Sequence, residues 1–165
     1  MEDVYDLKNL PQKAAKTEKT NKKLVQRLKK RNYRELDAII HQLHEEVFEE
    51  IDCLKCGNCC RSISPFIIEK DIRRISKHLR MKPSEFSESY LKLDDDGTYG
   101  FSKTPCSFLG VDNYCAIYEQ RPRACAEYPL TDRPRVYQAL DVSIKNAAVC
   151  PAVYEIFERL KALNY

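Results

Sequence analysis

From Leu24 onward the apolar positions fall at helical spacing. Val25, Leu28, Leu36, Ile39, Ile40, Leu43, Val47 and Ile51 lie within roughly 140° of one another around a helix axis, which predicts one amphipathic helix facing a core or a partner. Its charges run basic first and acidic last, against the helix macrodipole, so the pattern also predicts a break near Arg31–Asn32. A second helix carries Ile68, Ile72, Ile75 and Leu79 on one face, and a short third one runs from Ser84 to Leu91. Asp94-Asp95-Asp96-Gly97 reads as a turn. Val136, Leu140, Val142 and Ile144 sit at even spacing, which makes 135–144 the best strand candidate. Pro151 opens a last helix with Val153, Ile156, Phe157 and Leu160 on one side, proline being favoured at a first helical position. The chain therefore divides into a polar, flexible segment 1–20, an amphipathic helical extension 21–52 and a region 53–165 that holds every cysteine.

Composition changes this picture only modestly. Of 165 residues, 43% are apolar and 32% charged, which fits a globular protein and argues against wholesale disorder. The net charge of +3 is too small to imply a polyanionic partner, but it hides an asymmetry. Residues 1–35 carry eleven Lys/Arg against five Asp/Glu, whereas residues 36–52 carry six acids and no Lys or Arg. The basic run from Lys16 to Arg34 has no aromatic platform or nucleic-acid motif beside it. It reads as a solvated face, and nucleic acid is not expected as a partner. Met1–Thr20 lacks the apolar core of an export signal, and no stretch approaches 18 consecutive apolar residues. The expected location is thus cytoplasmic and reducing, with no membrane partner.

In such a compartment disulfides are rare, and clustered cysteines bind metal or do redox chemistry. The eight cysteines are Cys53, Cys56, Cys59, Cys60, Cys106, Cys115, Cys125 and Cys150. The first four read C-x2-C-G-N-C-C. Two-residue spacing lets thiolates converge on one centre, and Gly57 permits the tight backbone this needs. Three cysteines at C-x2-C-x2-C with a distant Cys-Pro, here Cys150-Pro151, form the ligand pattern of bacterial-type [4Fe–4S] sites. Cys59 and Cys60 are adjacent, and neighbouring side chains diverge by about 100° on a helix, so the two are not expected to ligate one ion. One partition places Cys53, Cys56, Cys59 and Cys150 in one site and Cys60, Cys106, Cys115 and Cys125 in a second. A single site with spare thiols is the other. The donors suit an iron–sulfur cluster or Zn2+, and zinc–thiolate bonds double as folding energy. A thioredoxin-like pair at Cys53 and Cys56 needs a βαβ context that is not visible.

Four stretches together carry a family signature. They are Cys53-Leu54-Lys55-Cys56-Gly57-Asn58-Cys59-Cys60, Pro105-Cys106-Ser107-Phe108-Leu109, Cys115-Ala116-Ile117-Tyr118-Glu119-Gln120-Arg121-Pro122-Arg123-Ala124-Cys125, and Tyr128-Pro129. With the helix of Asp71-Ile72 and Ile75, they resemble the YkgJ-type cysteine-cluster family, a zinc- or iron-chelating domain, over roughly residues 50–152. The resemblance implies metal binding through these cysteines. One branch of that family is associated with lysine N-methylation through an iron–sulfur centre, but no residue here marks the chain for it.

Other residues add less. Arg121-Pro122 and Tyr128-Pro129 are suited to stiffening the loops that deliver Cys115 and Cys125, and Arg121 to hydrogen-bonding a thiolate or sulfide. His41 and His44 stand three apart beside Glu45, on the polar side of their helix and at its border; His78 reads as solvated. There is no phosphate loop, nucleophile elbow or paired-carboxylate site, and no catalytic residue is identified. The fold expected is a small, mostly helical α+β domain with an irregular cysteine-rich middle organised by metal and a short β element. The function expected is that of a metal-binding protein, with an iron–sulfur cluster as cofactor. The alternatives are a structural zinc module that docks a protein partner through its N-terminal helix, and a cluster-dependent lysine methyltransferase-like enzyme.

Overall fold

The computed structural model describes residues 5–163. In chain order the elements are α1 (Leu10–Leu28), α2 (Tyr33–Glu50), α3 (Cys53–Cys56), α4 (Asn58–Ser62), β1 (Phe66–Ile67), α5 (Glu69–His78), α6 (Pro83–Tyr90), β2 (Leu91–Leu93), β3 (Tyr99–Phe101), α7 (Arg123–Glu127), α8 (Leu140–Asn146) and α9 (Pro151–Ala162). Single 3-10 turns occur at Tyr118–Gln120 and Val136–Gln138. This is a small, mostly helical α+β fold. It divides into two compact units, one formed by Met1–Cys56 with Pro129–Tyr165 and the other by Gly57–Tyr128.

The first unit is all helical. Its core is built from the apolar stripe legible in the sequence: Leu24, Val25 and Leu28 of α1, Leu36, Ile40, Leu43 and Val47 of α2, and Val153, Ile156, Phe157 and Leu160 of α9. The stripe thus faces the unit's own core, which leaves the polar face of α1 exposed. The chain breaks between α1 and α2 near Arg31–Asn32. Asn32 caps α2, its side chain accepting the Arg34 N–H at 2.9 Å, and a polar side chain there satisfies an amide that no helical carbonyl reaches.

Two expectations are corrected here. Residues 10–20, expected to be flexible, are the first half of α1; residues 1–4 of that segment lie outside the described residues. Leu10, Ala14 and Asn21 continue the buried face one to four turns upstream of Leu24, but alanine and asparagine are too weakly apolar to reveal it. Residues 135–144, expected to form a strand, are a 3-10 turn followed by α8. Val136, Leu140, Ser143 and Ala147 are buried while Val142 is exposed, a spacing of three to four and not of two. β-Branched residues gave the stretch a strand-like composition that packing overrides.

The turn before α8 is held by Asp37 of α2. Its carboxylate accepts the backbone N–H groups of Arg135 at 2.7 Å and Val136 at 2.9 Å. Arg135 has a left-handed φ of 54°, a strained conformation for a side-chain-bearing residue. Hydrogen bonds to a charged acceptor contribute about 1.5–3 kcal/mol each. Asp37→Ala is therefore expected to lower the first unit's stability by about 2 kcal/mol in denaturant melts, and an unchanged midpoint would refute the tether.

The second unit packs α5 and α6 against a three-stranded antiparallel sheet of order β1-β3-β2. Leu91 pairs with Phe101 and Ile67 with Tyr99, so residues of all three strands share one face. The core is Ile67, Ile72, Ile75, Phe86, Leu91, Phe101, Phe108 and Ile117. Tyr90 packs at its margin, its ring centroid 4.9 Å from that of Phe108.

Candidate metal centre

Each unit carries its own thiols. In the first, Cys53 and Cys56 stand at the two ends of the single turn α3. Asp52 starts this turn: its side chain accepts the Leu54 N–H at 2.8 Å, and its carbonyl accepts the Cys56 N–H at 3.0 Å. The Asp52 N–H is itself held by the Tyr5 hydroxyl at 2.9 Å. Cys150 is the residue that begins α9. Burial pushes its thiol up to about 12, the amides of Val153 and Ala152 pull the other way, and the charges of Cys53 and Cys56 add to the rise. The three sulfurs are therefore electrostatic neighbours.

The second unit holds Cys59, Cys60, Cys106, Cys115 and Cys125. Gly57 leads into α4 with a left-handed φ of 56°. A Cβ there would lie 2.6 Å from Arg61 Nη1 and 3.0 Å from Asn113 Cγ, so the left-handed conformation favours glycine and a side chain would press on Arg61 and Asn113. Arg61 donates to the Asn113 side chain, which ties α4 to the loop before Cys115. The Cys106 N–H donates to the Cys60 carbonyl at 2.9 Å. Leu109 bridges Cys115 in antiparallel fashion, and the Ala116 N–H donates to the Phe108 carbonyl at 2.8 Å. These backbone bonds draw three thiol-bearing stretches together.

The thiols sense one another. Burial pushes Cys125 up to about 12, helped by the charges of Cys60, Cys106 and Cys115. Burial likewise raises Cys106 and Cys115, with Cys60 adding to both. Cys60 moves the opposite way, down to about 7, because the Cys59 thiol donates a hydrogen bond to it and Arg61 stands near. The adjacent pair, expected to diverge, is thus within hydrogen-bond reach.

The donor chemistry suits zinc or iron: thiolate sulfur is the favoured ligand of both zinc and iron–sulfur sites. Among the described residues, no group of three or more His, Cys, Asp or Glu side chains already stands in metal-holding geometry. Coordination therefore requires the sulfurs to lose their protons and turn inward.

Other candidates are engaged elsewhere. His41 Nε2 donates to the Arg133 carbonyl at 3.0 Å, and His44 Nδ1 bonds the Thr131 hydroxyl at 2.8 Å. Burial lowers the His44 pKa, and its ring packs 4.4 Å from Phe48. His78 is exposed. Arg121 donates to the Tyr118 carbonyl at 2.7 Å, and its charge favours the thiolates of Cys115 and Cys125.

Sequence reasoning names Asp71 only within the family's helix and misses that it is a fully buried carboxylate on α5. The available signal was its position inside the apolar stripe, three residues after Ile68 and four before Ile75. It passed over Arg74 and Asn113 as well, for which no comparable signal exists.

A small α+β protein whose two units each gather thiols belongs to the class of cysteine-rich metal-binding proteins. The family model CxxCxxCC, described as "Putative zinc- or iron-chelating domain", matches residues 52–151, and the chain belongs to that family. Metal binding, to zinc or iron, is its coarse function. No curated protein and no solved structure matches the chain. Among the described residues, no helix is long and apolar enough to cross a membrane.

Proposed function

We propose that the chelated metal is iron, held as a [4Fe–4S] cluster, and that all eight cysteines serve metal. Cys60, Cys106, Cys115 and Cys125 form a four-sulfur set, with Cys59 beside it as a hydrogen-bond donor and spare ligand. Cys53, Cys56 and Cys150 form a three-sulfur set in the first unit. The observation that carries this reading is a backbone that draws the thiol-bearing stretches of one unit together: the Cys106 N–H donates to the Cys60 carbonyl at 2.9 Å and Leu109 bridges Cys115, and burial raises the Cys106, Cys115 and Cys125 thiols, with the charge of Cys60 adding to each. Four cysteine thiolates are the usual ligands of such clusters, and the first unit's C-x2-C with a distant Cys-Pro supports the same chemistry. A cluster would hold electrons or present iron to a substrate, and a reducing cytoplasm is the compartment it fits.

Anaerobic purification tests the reading. Brown protein containing iron and acid-labile sulfide in equal amounts is the expected result. Colourless protein with stoichiometric zinc would replace the cluster by a structural zinc site.

A further inference from the structure

The four-sulfur set is flanked by a buried charge that no ligand role explains. Asp71 is 1% exposed. Its Oδ1 accepts the Arg74 guanidinium at 2.7 Å and the Arg123 N–H at 3.2 Å, and its Oδ2 accepts the Ile68 N–H at 3.4 Å. A buried carboxylate without such partners would be strongly destabilising. The same Arg74 nitrogen reaches on to the Arg121 carbonyl at 2.9 Å. Arg121 lies 3.9 Å over the Tyr118 ring and donates to the Tyr118 carbonyl. The Tyr118 N–H in turn donates to the Cys115 carbonyl at 3.1 Å. One continuous set of contacts therefore runs from α5 into the whole segment between Cys115 and Cys125, entering it at Tyr118, Arg121 and Arg123.

Four thiolates around a divalent ion or an iron–sulfur core carry a net negative charge, and a fixed cation nearby favours that state. We propose that Asp71 and Arg74 are positioning residues for the thiolate centre: they lock the loop 118–123 so that the Arg121 guanidinium stays near Cys115 and Cys125 and offsets the charge that coordination builds. The inference rests on reading Cys60, Cys106, Cys115 and Cys125 as ligands.

The experiment uses the full chain with Cys53→Ser and Cys56→Ser, so that thiolate-to-cobalt absorption reports the second unit's set. Cobalt(II) is titrated against a competing chelator. Asp71→Asn or Arg74→Met alone leaves a buried group without its partner and risks misfolding, so Arg121→Gln and the paired Asp71→Asn, Arg74→Met chain, which removes both charges together, are the informative variants. Outer-sphere partners of metal ligands typically contribute 10- to 100-fold in affinity. Arg121→Gln is expected to weaken cobalt binding about 10-fold with the d–d bands of the cobalt-saturated chain unchanged. Arg121→Lys, which keeps the charge, should recover most of that loss. The paired Asp71→Asn, Arg74→Met chain should weaken binding similarly, and adding Arg121→Gln to it should lose nothing more, because all act through one cation. Parent-like affinity for Arg121→Gln, no recovery with lysine, or additive losses would each overturn the proposal while leaving the ligand reading intact. A parent chain that binds no cobalt would overturn both.

Discussion

Stripping the metal from the purified protein is expected to unfold the second unit and leave the first folded. The argument is one of size. The second unit runs from Gly57 to Tyr128, its strands are two or three residues long, and its core has eight buried residues. A unit that small is marginal on apolar burial alone. Thiolate–metal bonds contribute on the order of 10 kcal/mol, more than the whole stability of many domains. Among the described residues, the first unit's core cluster holds sixteen buried apolar residues, most of them on its long helices, and it does not depend on metal in the same way. Hydrogen exchange read by mass spectrometry should show the amides of α5 and α6 losing protection on chelation while those of α1, α2 and α9 keep it. Cys125→Ser should produce the same pattern without a chelator, and His41→Ala should not. Equal protection of α5 and α6 with and without metal would mean that the thiols do not hold this unit together.

The elements that could be read from the chain are those whose apolar spacing outlasts a single turn. Ile68, Ile72 and Ile75 determine α5 because each returns to the same face. Pro151 locates the start of α9 because proline cannot donate within a helix. The break at Asn32 was legible from charge order and is completed by a side-chain cap. The sheet was not legible: Leu91-Lys92-Leu93 and Tyr99-Gly100-Phe101 are too short to display a period, although the turn between them was recognised. At 135–144 the even spacing of the apolar Val136, Leu140, Val142 and Ile144 mimics a period of two, and burial selects a different subset. The cysteines as candidates were plain from spacing. Their neighbourhoods were not, because Cys60 meets Cys106 through a backbone bond spanning 46 residues, and no local pattern encodes that.

Phe86→Ala is expected to weaken metal binding about a thousandfold although Phe86 has no donor atom for a metal. The ring is fully buried, 5.3 Å from Tyr90 and 6.5 Å from Phe108 between centroids, and Phe108 lies 5.5 Å from Phe101 of the sheet. This aromatic group fastens α6 to the strands and to the segment after Cys106. Truncating a buried phenylalanine costs about 3–5 kcal/mol. If the metal-free unit is already unfolded, folding and binding are one equilibrium, and the entire loss appears in the metal affinity. About 4 kcal/mol then corresponds to about three powers of ten. Leu36→Ala, at an equally buried position of the first unit's core, should lower that unit's melting temperature and leave the affinity of the four-sulfur set unchanged. Competition with a zinc chelator, monitored in the same Cys53→Ser, Cys56→Ser background, measures both variants. A Phe86→Ala chain that binds zinc as the parent does would show that the second unit folds without its metal. The thiol cluster would then be an addition to a finished scaffold and not the reason for its shape.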